Sequence, residues 1–197
     1  MKYLIILLFF TFLSCDKNTK DIDFSRLENA SMVPGYKKID IDGINFESTS
    51  RNSERLISNS KINLVFFGFP GCHGVCPTTI AALTDELKAL PKTKRSKYKV
   101  VFVNVDEEAK LSKVKEFLSG YSEEYLGINP ASSEDLVKLS KLFGAYSRKA
   151  LPNEKAEDKI IHSSQVYVVS PDSNWVGYYS FPILKGKIAS DFSKIIF

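Results

Sequence analysis

An almost unbroken apolar run, Ile62 to Phe69, is the feature that most constrains the fold of this chain. A run of this kind is typical of a central strand that is covered on both faces of its sheet. It leads into Cys72 and Cys76, and apolar residues then recur at helical spacing from Ile80 to Leu90. The two thiols are therefore predicted to lie at a strand-to-helix turn.

The alternation of strand and helix continues to the C-terminus. The pattern predicts a second buried strand, a second helix, a short strand, a helix capped at Ser132, a β-hairpin and a last helix (residues 99–105, 111–118, 125–128, 133–143, 165–181 and 188–196). Apolar residues also alternate on both sides of Asp42-Gly43, which predicts an N-terminal β-hairpin. We therefore expect an α/β fold with three layers and a mixed central sheet.

The N-terminus is typical of an export signal. A lysine precedes an apolar segment that is too short to span a membrane, which takes roughly 20 residues, and Cys15 stands at the expected cleavage point as in a bacterial lipobox. This pattern predicts a signal peptide (1–14), a lipidated N-terminus with a polar tether (15–35) and an exported domain (36–197). Plain signal-peptidase cleavage and an uncleaved short anchor are the alternatives.

Composition narrows the choice of partners. The chain has 197 residues, 27 basic and 23 acidic, and a net charge of +4. Because no stretch combines basic and aromatic side chains as a stacking groove would, we expect no nucleic-acid partner. A slightly basic surface favours an acidic partner or a membrane face.

With Cys15 lipidated, Cys72 and Cys76 are the only thiols of the exported domain. In an oxidising compartment such a pair serves redox exchange or holds a metal, because a disulfide over so short a loop stabilises little. A helix N-terminus favours thiolates, and three intervening residues let both sulfurs face one ion. Two thiolates favour Cu(I) or Zn(II). Redox exchange remains open at this point.

The chain contains two histidines, His73 and His162. His162 precedes the strand predicted at 165–169, and in a thioredoxin-like sheet the segment that enters this strand lies beside the cysteine turn. His162 is therefore predicted to be the third ligand of a metal held by Cys72 and Cys76. His73 lies inside the cysteine loop and is expected to point away from the sulfurs, although its role as a ligand stays open.

The motifs at these positions resemble those of the Sco/SenC family. They are Phe67-Gly68-Phe69 followed by Cys-x-x-x-Cys-Pro-Thr-Thr, then residues 103–106 (Val-Asn-Val-Asp), then His162-Ser163 ahead of residues 167–172 (Tyr-Val-Val-Ser-Pro-Asp). The resemblance extends from about Ile39 to the C-terminus. It implies a membrane-anchored, thioredoxin-like copper-binding protein that helps to assemble the copper A centre of cytochrome c oxidase.

Carried over residue by residue, the resemblance implies that Cys72, Cys76 and His162 bind copper, as Cu(I) and also as Cu(II). It also implies that the two cysteines cycle between dithiol and disulfide. The expected function is that of a metallochaperone rather than an enzyme, with the copper A subunit or another copper acceptor as partner and a lipid anchor in the membrane. The alternative is a membrane-anchored thiol–disulfide oxidoreductase that keeps the cysteines of an acceptor reduced.

The chain departs from the family pattern near the ligands. His73-Gly74 stands where the family usually has Pro-Asp, and Glu107 stands where proline is common. Ile161 replaces an acidic residue that often precedes the histidine, which removes one expected contact around the metal. The charged segment 148–161 is predicted to be a loop that moves when metal binds.

Overall fold

The computed structural model describes residues 22–50, 55–154 and 158–197. The predicted signal peptide and Cys15 lie outside these residues. Among the residues described, no helix combines the length and the apolar character that crossing a membrane requires.

A mixed sheet forms the middle layer of the domain. The strands are β1 (Ser31–Lys38), β2 (Phe46–Ser48), β3 (Ile62–Gly68), β4 (Tyr98–Asn104), β5 (Leu126–Pro130), β6 (Ser147–Lys149), β7 (Ile160–His162), β8 (Val166–Val169) and β9 (Asn174–Tyr179). Seven of them form one sheet in the order β1-β9-β8-β3-β4-β5-β2, in which β3, β4 and β5 are parallel and the other pairings are antiparallel. The predicted mixed sheet is thus confirmed.

Helices cover both faces of this sheet. They are α1 (Val75–Lys88), α2 (Lys92–Arg95), α3 (Leu111–Ser119), α4 (Ser133–Phe143) and α5 (Lys187–Lys194). Successive residues of a strand point to opposite faces. Accordingly, Phe66 contacts Phe102, which contacts Phe117 of α3, while Phe67 packs against Phe143 of α4 on the other side. The three predicted layers are present.

The predicted limits of the helices are largely confirmed. The Ser132 side chain accepts a hydrogen bond from the amide of Asp135 and so caps α4, and Gly144 ends this helix with a φ of 60°. The helix after the cysteines begins at Val75, so that Cys76 lies in its first turn.

The predicted N-terminal β-hairpin is corrected by the pairing of its strands. The turn at Asp42-Gly43 forms, with the Ile44 amide 3.1 Å from the Ile41 carbonyl. However, β1 pairs with β9 and β2 pairs with β5, at opposite edges of the sheet. Alternation on both sides of a turn indicates two strands, but each strand here finds an unpaired sheet edge rather than the other strand.

The part of the predicted tether that the structure describes packs on the domain. Phe24 and Leu27 are buried, and the Asn29 amide donates to Asp191 of α5 at 2.9 Å. These residues are therefore part of the folded domain, because the two apolar side chains belong to its hydrophobic core.

The segment predicted to be a loop contains β6 and β7, which pair only with each other in a second, two-stranded sheet. We call residues 147–154 and 158–162 the histidine arm, because β7 ends at His162. The arm lies outside the main sheet, and the chain joins that sheet again at β8.

Candidate metal centre

The cysteine turn connects the end of β3 to the start of α1. Gly68 ends β3, and a Cβ atom there would lie 2.9 Å from the Cys76 sulfur and from the Phe102 ring. Glycine therefore allows the first turn of α1 to approach the strand closely. The Cys72 amide donates to the Phe69 carbonyl at 3.2 Å. Cys72 and Cys76 are both buried as a result.

Cys72 has an environment that favours its thiolate. The Cys76 amide donates to the Cys72 sulfur at 3.3 Å, as expected at a helix N-terminus. The hydrogen bond from the Cys76 side chain is the largest influence on the pKa of Cys72, and that from the Cys76 amide lowers it further. Burial and Asp158 oppose them, and the net effect lowers the pKa of Cys72 to about 5.

Cys76 has the opposite environment. Its complete burial raises the pKa of its thiol above the ordinary value, and its hydrogen bond to Cys72 and the charge there raise it further. Near neutral pH the pair thus holds one proton, on Cys76, and one negative charge, on Cys72. A metal that binds both sulfurs must displace that proton.

His162 presents one defined ring nitrogen to the cysteines. Its Nδ1 lies 2.8 Å from the Ser163 carbonyl oxygen, which can only accept, so Nδ1 carries the proton. Nε2 therefore has a free lone pair, and it lies 3.1 Å from the Cys76 sulfur. The rings of Phe66 and Phe69 meet the imidazole edge to face and limit its rotation. The ring is thus oriented as a metal ligand requires.

The structure brings together the three predicted ligands. The donor atoms of Cys72, Cys76 and His162 all lie within 4.8 Å of one another. Two sulfurs and an imidazole nitrogen suit a soft or borderline ion such as Cu(I) or Zn(II), and they suit hard cations poorly. His73 is not part of this group of atoms. Its side chain is 87% exposed, and its Nδ1 lies 3.2 Å from Asp158.

Asp158 is the contact that the sequence interpretation missed. One carboxylate oxygen accepts from the His73 amide at 3.0 Å, and the other lies 3.2 Å from the Cys72 sulfur. Partial burial raises the pKa of Asp158, but its hydrogen bonds, of which that from the His73 amide has the largest influence, outweigh burial and hold the pKa below its ordinary value. No periodic pattern in the sequence marks Asp158, because it lies just before β7 and outside any strand.

Fold and site together define a thioredoxin-like α/β domain with a centre of two cysteines and one histidine. The model of the SCO1/SenC family matches residues 40–196. The chain therefore belongs to the SCO1/SenC family.

Two relatives show the extent of the similarity. A SCO2-like protein of Rickettsia conorii is 24% identical over 155 residues, which cover 77% of this chain and 71% of the relative. The mitochondrial SCO1 homologue of Homo sapiens is 23% identical over 153 residues, which cover 74% of this chain and 50% of the relative. Across this and four other curated relatives, the matched region covers 35% to 59% of their length.

Solved structures show the same fold. Apo Sco1 of Thermus thermophilus aligns with a TM-score of 0.63 at 23% identity, over 84% of this chain and 92% of that one. Yeast Sco1 with copper bound aligns with a TM-score of 0.59 at 20% identity, over 71% of this chain and 76% of that one. At these identities the likeness establishes the fold alone.

Proposed function

We propose that this protein is a copper metallochaperone that assists assembly of the copper A centre of cytochrome c oxidase. The observation that carries the proposal is the convergence of two sulfurs and one imidazole nitrogen within 4.8 Å. Yeast Sco1 and Bradyrhizobium japonicum ScoI, whose solved structures hold copper, have a similar fold, which supports the proposal. Copper is the cargo of such a protein, which must both bind it and release it.

The geometry suits Cu(I) as the transferred ion. Cys72 supplies a thiolate near neutral pH, Cys76 becomes a second thiolate when copper displaces its proton, and His162 completes a three-coordinate set. Thiolates of an acceptor can replace these ligands one at a time. When copper leaves, Cys76 takes up a proton again, and no change of oxidation state is required.

We further propose that a lipid on Cys15 anchors the protein to a membrane, with its domain outside the cytoplasm. The sequence pattern at Cys15 supports this location, as does the similar fold of a SCO1/SenC family lipoprotein of Bacillus anthracis. The proposed partner is the copper A subunit of cytochrome c oxidase or another protein that offers thiolates to Cu(I).

Titration of the full-length protein with Cu(I) against a competing chelator tests the metal site. We expect one tightly bound Cu(I) in the wild type, loss of tight binding in Cys72→Ser and Cys76→Ser, and weaker binding in His162→Ala. His73→Ala is the matched control and should bind as the wild type does. Wild-type affinity in all three ligand variants would contradict the proposed site.

The low pKa of Cys72 favours a second candidate, a thiol–disulfide oxidoreductase. The Cys72 thiolate would attack a disulfide of the acceptor and form a mixed disulfide. Cys76, after losing its proton, would then release the acceptor as a dithiol and leave a Cys72–Cys76 disulfide, so that two electrons pass to the acceptor. Reductase activity that survives His162→Ala, in a protein that binds no stoichiometric copper, would favour this candidate.

A further inference from the structure

The chain segments before and after His162 are held in different ways. After it, the chain enters the main sheet at β8, so this side is held by backbone pairing. Before it, the chain belongs to the histidine arm, in which β6 and β7 bond only to each other. Among the described residues, hydrogen bonds to a side chain connect this part of the arm to the cysteine turn.

Asp158 forms the connection that lies at the metal centre itself, and we call its hydrogen bonds with His73 the tie. It comes four residues before His162, and its side chain is only 15% exposed. One oxygen accepts from both the amide and the ring of His73, at 3.0 and 3.2 Å. The other oxygen lies 3.2 Å from the Cys72 sulfur. A single carboxylate on the arm thus accepts two hydrogen bonds from His73 of the cysteine turn and contacts its neighbour Cys72.

We propose that Asp158 is a positioning residue for the metal centre, which ties the histidine arm to the cysteine turn while the site holds no copper. This proposal rests on the proposed copper site for its purpose, but the tie itself is a property of the metal-free protein. It keeps His162 beside the two sulfurs before the ion arrives. Copper then finds three ligands in place and does not have to order the arm.

The contribution of Asp158 matters most in the metal-free state. Bound copper itself joins the cysteine turn to His162, because its ligands come from both segments. The ion therefore takes over the role that the hydrogen bonds from His73 to Asp158 have in the metal-free protein.

Two variants separate the tie from the negative charge. Asp158→Ala removes both. Asp158→Asn removes the charge but keeps an oxygen that accepts from the His73 amide and places an N–H donor beside the Cys72 sulfur. Lys149→Ala is the control on the arm, because it breaks an ion pair with Glu108 in which the two side chains are 79% and 67% exposed.

Hydrogen exchange of the full-length protein measures the tie directly, in the peptide that covers residues 158–163. Without copper, we expect exchange in Asp158→Ala to be about tenfold faster than in the wild type, and exchange in Asp158→Asn and Lys149→Ala to stay within about threefold of it. With Cu(I) bound, the difference between Asp158→Ala and the wild type should disappear. Cu(I) should bind Asp158→Ala about tenfold more weakly than Asp158→Asn, because these two variants differ in the tie but not in charge.

The outcomes distinguish the tie from other roles. Wild-type exchange in metal-free Asp158→Ala would overturn the proposal. Exchange that is equally fast with and without copper in this variant would also overturn it, because it would show a general structural role. A wild type that binds no Cu(I) would contradict the proposed function, whereas the comparison of the metal-free variants would still decide whether Asp158 forms the tie.

Discussion

The cysteine turn and the histidine arm supply ligands to the same centre but are held in different ways. The turn follows β3, whose residues are all buried and which pairs with β4 on one side and β8 on the other. The arm is a separate two-stranded sheet in which Ile160 packs into the core but other side chains are exposed, among them Leu151 at 65% exposure. Backbone pairing and core packing thus fix the two sulfurs, while polar side chains position much of the segment that leads to His162.

This difference suits a site that binds an ion and also releases it. Segments with little buried apolar surface open at a lower free-energy cost than the core of the same protein. The proposed site therefore combines a rigid pair of sulfurs with a nitrogen ligand on the part of the molecule that opens more readily. Changes in the turn and changes in the arm should therefore have separable effects.

The largest effect is expected from pH, which acts through the turn. With the pKa of Cys72 near 5 and that of Cys76 raised above its ordinary value, the pair holds one proton between pH 7 and 9, and Cu(I) displaces it. The apparent Cu(I) affinity should therefore rise about tenfold per pH unit over this range. Below about pH 5 the rise should steepen, because Cys72 is then protonated as well.

The same titration separates the two regions. His162→Ala removes the ligand from the arm and should keep this slope, although its affinity is lower. Cys76→Ser should lose the slope, because the displaced proton belongs to Cys76. A wild-type affinity that does not change with pH would contradict this prediction. It would show that both thiols are already ionised and that burial does not raise the pKa of Cys76.

Gly68→Ala should produce the next largest effect, on the rigid side. The added Cβ would lie 2.9 Å from the Cys76 sulfur and 3.0 Å from the Phe66 ring, in a part of the core that has no room to yield. We expect a loss of about 2 kcal/mol in the free energy of unfolding, measured by chemical denaturation, together with weaker Cu(I) binding.

Gly120→Ala is the control for this substitution, because the nearest atom to its Cβ is the Phe117 carbonyl oxygen at 3.5 Å. It should leave both stability and copper binding close to those of the wild type. Equal stability of the two alanine variants would show that β3 and α1 are not packed as closely as the structure has them.

The sequence predicted the rigid side well for a physical reason. A buried strand, a helix and the residues between them are adjacent in the chain, so periodicity alone located Cys72 and Cys76. The structure places His162 beside the two cysteines, as expected, because the order of strands in this type of sheet brings the start of β8 next to the turn after β3.

The parts that were not predicted depend on partners far apart in the sequence. Alternation around Asp42-Gly43 indicated strands, but the choice between a hairpin and two sheet edges depends on β5 and β9, far along the chain. Asp158 was missed because a charged segment with a proline reads as a loop. Asp158 lies just before β7, and its position at the turn depends on His73, 85 residues earlier in the chain.

On the side of the arm, Lys159→Ala should have a moderate effect. The Lys159 ammonium lies 2.8 Å from a carboxylate oxygen of Asp106, whose side chain is only 9% exposed. Its removal leaves that carboxylate without its ion pair, which we expect to cost about 1 kcal/mol, since Lys159 itself is 57% exposed. Hydrogen exchange should become faster in residues 158–162 but not in β3, and Lys159→Arg should restore it. Faster exchange in β3 as well would mean that the arm and the core open as one unit.

The smallest effect is expected from Lys149→Ala, and this variant is most informative when it is compared with the wild type in both low and high salt. The Lys149–Glu108 pair, 2.9 Å apart, is exposed on both sides, so its contribution should be a few tenths of a kcal/mol and should vanish in about 1 M NaCl. In low salt the variant should therefore exchange slightly faster than the wild type in residues 147–149, and in high salt the two should coincide. The tie through Asp158 is largely buried and should persist in high salt, so the arm as a whole should stay closed. If 1 M NaCl opened the wild-type arm as far as Asp158→Ala does, screened surface charge rather than the buried carboxylate would be holding His162 beside the sulfurs.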